Sequence, residues 1–140
     1  MGAWGERAFD NDTAADWSWE FENADLAAGL RLITDALSAA AGADGAAAYL
    51  DADDGTRAVA AAELVASING QPIAESPYNE TARQWIARVH PSSDPSLTNL
   101  ARRAVSRVTA ENSELAQLWD ETGSSSWRSA MSELQGKLDA

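Results

Sequence analysis

Cysteine is absent from the sequence. That excludes a disulfide framework, a thiolate nucleophile and any cysteine-ligated zinc. It also suits a reducing compartment. Histidine occurs once, at His90, so no histidine pair is present to hold a metal or to work with a second imidazole. No run of about 18 apolar residues exists, which argues against a transmembrane helix. The first residues lack the basic and apolar regions of a signal peptide. These absences together predict a soluble, cytoplasmic protein with no membrane partner. Basic residues are also scarce, ten against 22 acidic, for a net charge of −12. The deficit is uneven. Residues 1–55 hold 12 carboxylates against Arg7 and Arg31, net −10, and the remainder carries −2. Nucleic-acid affinity comes largely from counterion release by Lys and Arg, so this balance disfavours a nucleic-acid partner. An acidic half favours solubility and suits a partner of basic character.

What the chain has in excess is alanine, 30 of 140 residues, and no β-branched runs. Alanine loses no side-chain entropy in a helix, and the apolar spacing throughout is helical. The fold class expected is all-α: one compact domain over residues 1–140, of about seven short helices, bundle-like or a short irregular solenoid. Residues 1–12, with their Trp-Gly pair, form a lead-in packed on it. A first helix is expected over 13–21, capped by Thr13. A second over 24–41 carries Leu26, Leu30, Ile33 and Leu37 on one stripe and stops at Gly42. Tyr49 and Leu50 are expected to anchor the next connection, where "AAAYLD" is the one place suited to a short extended piece. A third helix over 55–69, capped by Asp53 or Asp54, shows Val59, Ala61, Leu64, Val65 and Ile68 and ends at "NGQP". Ser76 and Pro77 start a fourth, whose apolar residues are Ala82, Trp85, Ile86 and Val89, and Pro91 ends it. Asp94–Pro95 starts a fifth with the cleanest pattern: Leu97, Leu100, Ala101, Ala104, Val105 and Val108. Asn112 caps a sixth with Leu115, Leu118 and Trp119. The seventh, after "TGSSS", shows Trp127, Met131, Leu134 and Leu138.

Several patterns suggest chemistry and lose it on inspection. "DADDGT", from Asp51, resembles the start of a calcium loop. Counted from Asp51, however, glycine falls at the fifth position and the twelfth is Ala62, so the register fails. His90 precedes Pro91 at a helix end, with no local nucleophile or orienting acid. Five arginines, Arg83, Arg88, Arg102, Arg103 and Arg107, make a basic stretch without interleaved aromatics. They are expected to pair with the acidic half, within the chain or in a neighbouring copy, so a homo-oligomer is allowed. Six tryptophans are many for this length. Trp85, Trp119 and Trp127 fall on apolar stripes. Trp17 and Trp19 sit about 200° apart on one helix, so either one is buried while the other is partly exposed, or both pack against different layers. An exposed Trp in acidic surroundings suits a protein-contact hot spot.

The opening, "MGAWG…FDNDTAADW", resembles the N-terminal signature of the bacterial domain of unknown function 4259 family. "YLDADDGTRAVAAAELVAS", "NSELAQLWDETG" and "WRSAMSELQGKL" are similar to its later segments. Glu6-Arg7-Ala8 departs from the family's usual Thr-Gly-small sequence. The resemblance implies a bacterial single-domain fold and no activity. It marks Trp4, Gly5, Phe9, Asn11, Asp12, Asp16 and Glu63. Glu63 interrupts the apolar helix at "AAAELVA", where a buried carboxylate needs an Arg or a backbone N–H.

Two functions compete. The first is a non-catalytic acidic helical protein-interaction module, a regulator or immunity-type binder, with Trp4, Asp12, Asp16, Trp19 and Glu63 as candidate binding residues. The second is a carboxylate-based, metal-dependent hydrolase using Asp12, Asp16 and Glu63. No catalytic residue, metal ligand or cofactor is assigned under the first. Within the lead-in, Trp4 and Phe9 are expected to plug the helical core and Asn11, Asp12 and Thr13 to supply caps, making the segment a structural lock.

Overall fold

A computed structural model describes residues 11–42, 49–73, 75–76, 79–92, 94–123 and 125–139. Among them are seven helices: α1 (Asp12–Trp19), α2 (Leu26–Ala41), α3 (Ala52–Ile68), α4 (Glu80–Val89), α5 (Pro95–Val108), α6 (Glu114–Glu121) and α7 (Ser126–Asp139). The all-α reading holds. Most of the lead-in, Trp4 and Phe9 included, lies outside the described residues.

α3 packs against each of the other six helices. That arrangement is a bundle around a central rod. In a solenoid each unit meets only its neighbours. The sequence of α3 explains its place. Ala58, Ala60, Ala61, Ala62 and Ala66 are all fully buried, with Leu64 and Val65 beside them. A helix apolar on every side belongs inside, and small side chains let neighbouring backbones come close. The single apolar stripe expected from sequence is therefore too narrow, and Ile68, assigned to it, is only half-buried.

α2 and α5 pack on α3 and on each other. α5 buries Ala101, Ala104, Val105 and Val108, four residues of its expected stripe. α2 buries Ile33 and Leu37, but Leu26 at its first position is exposed. Beside this trio runs an aromatic chain. The Trp17 and Phe21 rings meet edge to face, centroids 5.0 Å apart, and Phe21 lies 5.1 Å from Trp85. Trp85 is fully buried, and its indole N–H donates to the Asp25 carbonyl at 3.1 Å. Its ring rests on Gly29 of α2, where any Cβ would collide with Cε2 and Cζ2 of the indole.

The helix starts refine the sequence expectations. Of the three expected caps Asn11, Asp12 and Thr13, Asn11 takes the role on α1, its side chain accepting from the Ala14 N–H at 2.7 Å, and Thr13 lies inside the helix. Asp51, not Asp53 or Asp54, caps α3, so that helix begins three residues before the expected start, and Gly55 lies within it. α4 begins at Glu80. The Ser76 signal makes a turn instead of a cap: the Ser76 N–H donates to Asn79 Oδ1, and the Asn79 N–H returns to the Ser76 carbonyl. Asn79 Oδ1 also receives Arg83 Nε at 2.6 Å and caps nothing. In its place Ser18 of α1, fully buried, accepts from the Ala82 N–H at 3.2 Å. Asp94 caps α5 with Pro95 behind it, as expected. Ser113 caps α6, while Asn112 takes the left-handed conformation.

The extended piece expected near "AAAYLD" is a single parallel bridge, Leu50 to Ser113. The Leu50 N–H donates to Asn112, and the Glu114 N–H donates to Leu50. Leu50 is the buried anchor of this connection. Tyr49 is 56% exposed, its hydroxyl donating to Gln117 Oε1, so its anchoring role does not hold. Trp119, expected in the core, is half-buried.

The two kinds of helical glycine give a paired test. Gly29→Ala drives a methyl into Trp85 and is expected to destabilise by about 1–3 kcal/mol, at the upper end because the indole is held on three sides. Gly136, in α7, has open space where a Cβ would stand, so Gly136→Ala is expected to stabilise by roughly 0.5–1 kcal/mol. Urea titration of both variants beside the parent checks the opposite signs.

Candidate functional site

α1 places its side chains by simple periodicity. Ala14, Ala15, Trp17 and Ser18 are buried against the bundle. Asp12, Asp16 and Trp19 stand at i, i+4 and i+7 and share the outer face. Asp12 and Asp16 are exposed, and Trp19 is 56% exposed, whereas Trp17 is only 3% exposed. Glu20 caps the helix one residue on and is exposed, four residues from Asp16. Asp16 and Glu20 make an acidic pair one turn apart. The i, i+4, i+7 row that links them to Asp12 and Trp19 is what turns the pair into a face. In the next turn Glu22 is exposed, and Asp25 is committed to capping α2 through the Ala28 N–H. Arg88 of α4 donates to the Ala24 carbonyl at 2.7 Å and braces this corner from below.

Glu63 stands apart from that face. Its Oε1 lies 3.6 Å from Lys137 Nζ of α7, and both side chains are largely covered. The partner expected was an arginine or a backbone N–H; the structure supplies a lysine. Thr13 Oγ1 donates to Asp53 Oδ1 at 3.2 Å and fixes the start of α1 beside the start of α3. Glu63 is ten residues further along α3, about 15 Å at helical rise. The described residues contain no group of three or more His, Cys, Asp or Glu side chains able to hold a metal ion. The three acids of the hydrolase reading are thus split between an open helix face and an interhelical ion pair. His90 is exposed in a left-handed conformation that ends α4.

The basic stretch finds its partners close by. Arg83 meets Glu75 at 3.2 Å, and Arg102 meets Asp139 at 2.7 Å. These carboxylates belong to the second half of the chain, not to the acidic first half expected from charge balance. Arg107 donates to the Glu111 and Asn112 carbonyls. Arg102 and Arg103 line an open groove on α5 with Ser96 and Asn99. Arg102 is also bound to Asn99 and to the Leu138 carbonyl, so its guanidinium serves the fold.

A second acidic corner lies where α3 and α6 begin side by side. Glu114 Oε1 accepts from the Ala52 N–H at 2.8 Å, adding to the cap that Asp51 provides on Asp54 N. Burial first, and then the Asp51 charge, raise the Asp54 carboxyl above its ordinary value, against the opposing pull of Arg57. Desolvation, with Glu114 and Glu121 nearby, raises the Tyr49 phenol likewise. At the far end of α6, Arg128 grips both oxygens of Asp120 and lowers its carboxyl. The same guanidinium donates to the Thr109 carbonyl at 2.6 Å and stands 5.3 Å from the Trp127 ring centre.

The family model described as a domain of unknown function (DUF4259) matches residues 2–130. The chain belongs to this family. Among curated proteins and among solved structures, no match is found. The DUF4259 match spans α1 to α6 and reaches into α7, so it includes both Trp19 and Glu63.

The two shifted aspartates predict opposite pH effects on this DUF4259 chain. The folded pKa of Asp54 is raised above 3.8, so its stabilising contribution is fully present below that pH and lost as pH rises through the folded value. The folded pKa of Asp120 is depressed, so its contribution is present above 3.8 and lost as pH falls through the folded value. Carboxyl-detected NMR titration is expected to find the two on opposite sides of 3.8. Arg128→Met is expected to return Asp120 to the ordinary range and leave Asp54 in place.

Proposed function

We propose that this DUF4259 chain is a non-catalytic, acidic helical interaction module, a regulator or immunity-type binder, that docks a basic segment of a protein partner on the outer face of α1. The observation that carries this reading is Trp19, exposed on the same face as Asp12 and Asp16 and next to Glu20. Burial of Trp17 on the opposite face anchors the helix, so Trp19 is presented without cost to the core. A guanidinium or ammonium stacked on an exposed indole gains from the ring quadrupole, and flanking carboxylates strengthen the attraction. Tryptophan is also the side chain most enriched among binding hot spots. The surplus negative charge of the first half steers a basic partner toward this face and makes association sensitive to salt. The row of carboxylates is open to solvent and lacks the enclosed, convergent geometry that hydrolysis requires.

A photoreactive side chain at position 20, beside Trp19, is expected to trap one discrete partner through a Lys- or Arg-rich segment. Trp19→Ala is expected to weaken that complex by about 2 kcal/mol, roughly 30-fold in Kd. Its melting temperature should match that of the parent, because the side chain is not part of the core. Absence of an adduct at position 20, or the same adduct from exposed Ser132 on α7, refutes the reading.

A further inference from the structure

The "NGQP" sequence that ends α3 places the chain's one Asn-Gly pair, Asn69–Gly70, on the surface. Of the six asparagines, Asn69 alone is followed by glycine. This matters chemically, because a glycine nitrogen has no neighbouring side chain to shield it from an adjacent amide. Asn69 is the C-terminal cap of α3, with φ −79° and ψ 4°, and Gly70 has φ 93°, a conformation open to glycine. Hydrogen bonds along the backbone and to α5 hold the segment. The Asn69 N–H donates to Val65 at 3.0 Å, the Gly70 N–H to Ser67 at 3.0 Å and the Gln71 N–H to Ala66 at 2.9 Å. Asn69 Nδ2 crosses to α5 and donates to Thr98 Oγ1 at 3.1 Å.

We propose that Asn69 is a site of spontaneous covalent modification, gated by opening of the last turn of α3. The Gly70 nitrogen attacks Asn69 Cγ. A C–N bond forms, the Cγ–Nδ2 bond breaks, and the amide nitrogen leaves as ammonia with the proton from Gly70. The product is a five-membered succinimide. Water then opens it at either carbonyl, giving aspartate or isoaspartate. No enzyme and no oxidant enters the balance.

The fold sets the rate. At ψ 4° the Gly70 nitrogen is turned away from Cγ, and its N–H is engaged by Ser67. Ring closure requires the Cα–C bond of Asn69 to rotate, which releases that hydrogen bond and the tie to Thr98 together. Helix ends open at far lower cost than the core, so the gate is accessible without global unfolding. Loss of ammonia makes the modification irreversible, and the product fits the closed turn less well. A carboxylate cannot donate to Thr98 as Asn69 Nδ2 does, and it places negative charge at the negative end of the α3 dipole. Isoaspartate also adds a carbon to the backbone and breaks the register of the Gly70 and Gln71 hydrogen bonds.

The test is mass mapping of the full chain during incubation in mildly alkaline buffer, with chromatographic separation of the two products. The expected result is an amide-to-acid mass change at Asn69 ahead of Asn11, Asn23, Asn79, Asn99 and Asn112. It should run several-fold slower than in a free peptide spanning residues 67–72. Thr98→Ala, which removes the side-chain tie, is expected to speed it several-fold, and Asn69→Gln to abolish it. No conversion in the folded chain while the peptide is consumed overturns the site. Conversion at the same rate in Thr98→Ala and parent overturns the gating.

Discussion

The burial of the middle of α3, from Ala58 to Ala66, is the constraint on which the other helices depend. Five fully buried alanines make this helix narrow enough for six neighbours to reach it. Larger side chains there would push the surrounding helices outward and open voids between them, since interiors are packed to near-crystalline density. Glu63 is the charged residue within that buried stretch, and it lies where α7 brings Lys137 to meet it. An ion pair in that position adds little net stability, but removal of one partner leaves a covered charge uncompensated. Gly29 applies the same logic on α2: where alanine is still too large, the helix gives up its side chain to Trp85.

Elements with strong periodicity were legible in the sequence. The α5 stripe, its Asp94–Pro95 start and the opposed faces of Trp17 and Trp19 follow from local rules and appear in the structure. The short extended contact at Leu50 was legible from the one departure from helical composition. What was not legible depended on distant residues. Ser76 carried a valid local start signal, yet Asn79 is engaged by Arg83 and the helix starts later. The cap it lacks comes from Ser18, 64 residues earlier. The Asp51 cap was missed because Asp53 and Asp54 offered equally good chemistry within three residues. Asp51 takes the role on the Asp54 N–H, and the neighbouring Ala52 N–H is satisfied from a distance by Glu114.

The candidate site divides in the same way. Asp12 and Asp16 were marked by the family resemblance and Trp19 by its position opposite Trp17; the helix then sets all three on one face, since they obey one helical period. Glu63 was marked by the family resemblance and by its odd place in an apolar run, and its carboxylate meets Lys137 of α7. A carboxylate within a buried helix is legible as an anomaly, but its partner is set by tertiary contact. The arginines failed for a related reason. Charge totals describe the field of the whole chain, whereas Arg83 and Arg102 are used by the nearest acid and by carbonyls that the fold leaves open.

The bond from Ala82 to Ser18 also orders events in time. α4 has ten residues and no side-chain cap of its own, and isolated helices shorter than about 12 residues are marginal in water. Its first turn is completed only when α1 arrives with a hydroxyl, and its indole settles only when Asp25 presents a carbonyl. Both partners precede it in the chain by 60 residues or more, so a long loop must close before α4 gains from either contact. α1 and α2 meet through α3, which packs against both. The start of α4 therefore draws its order from partners far back in the chain that α3 holds in place.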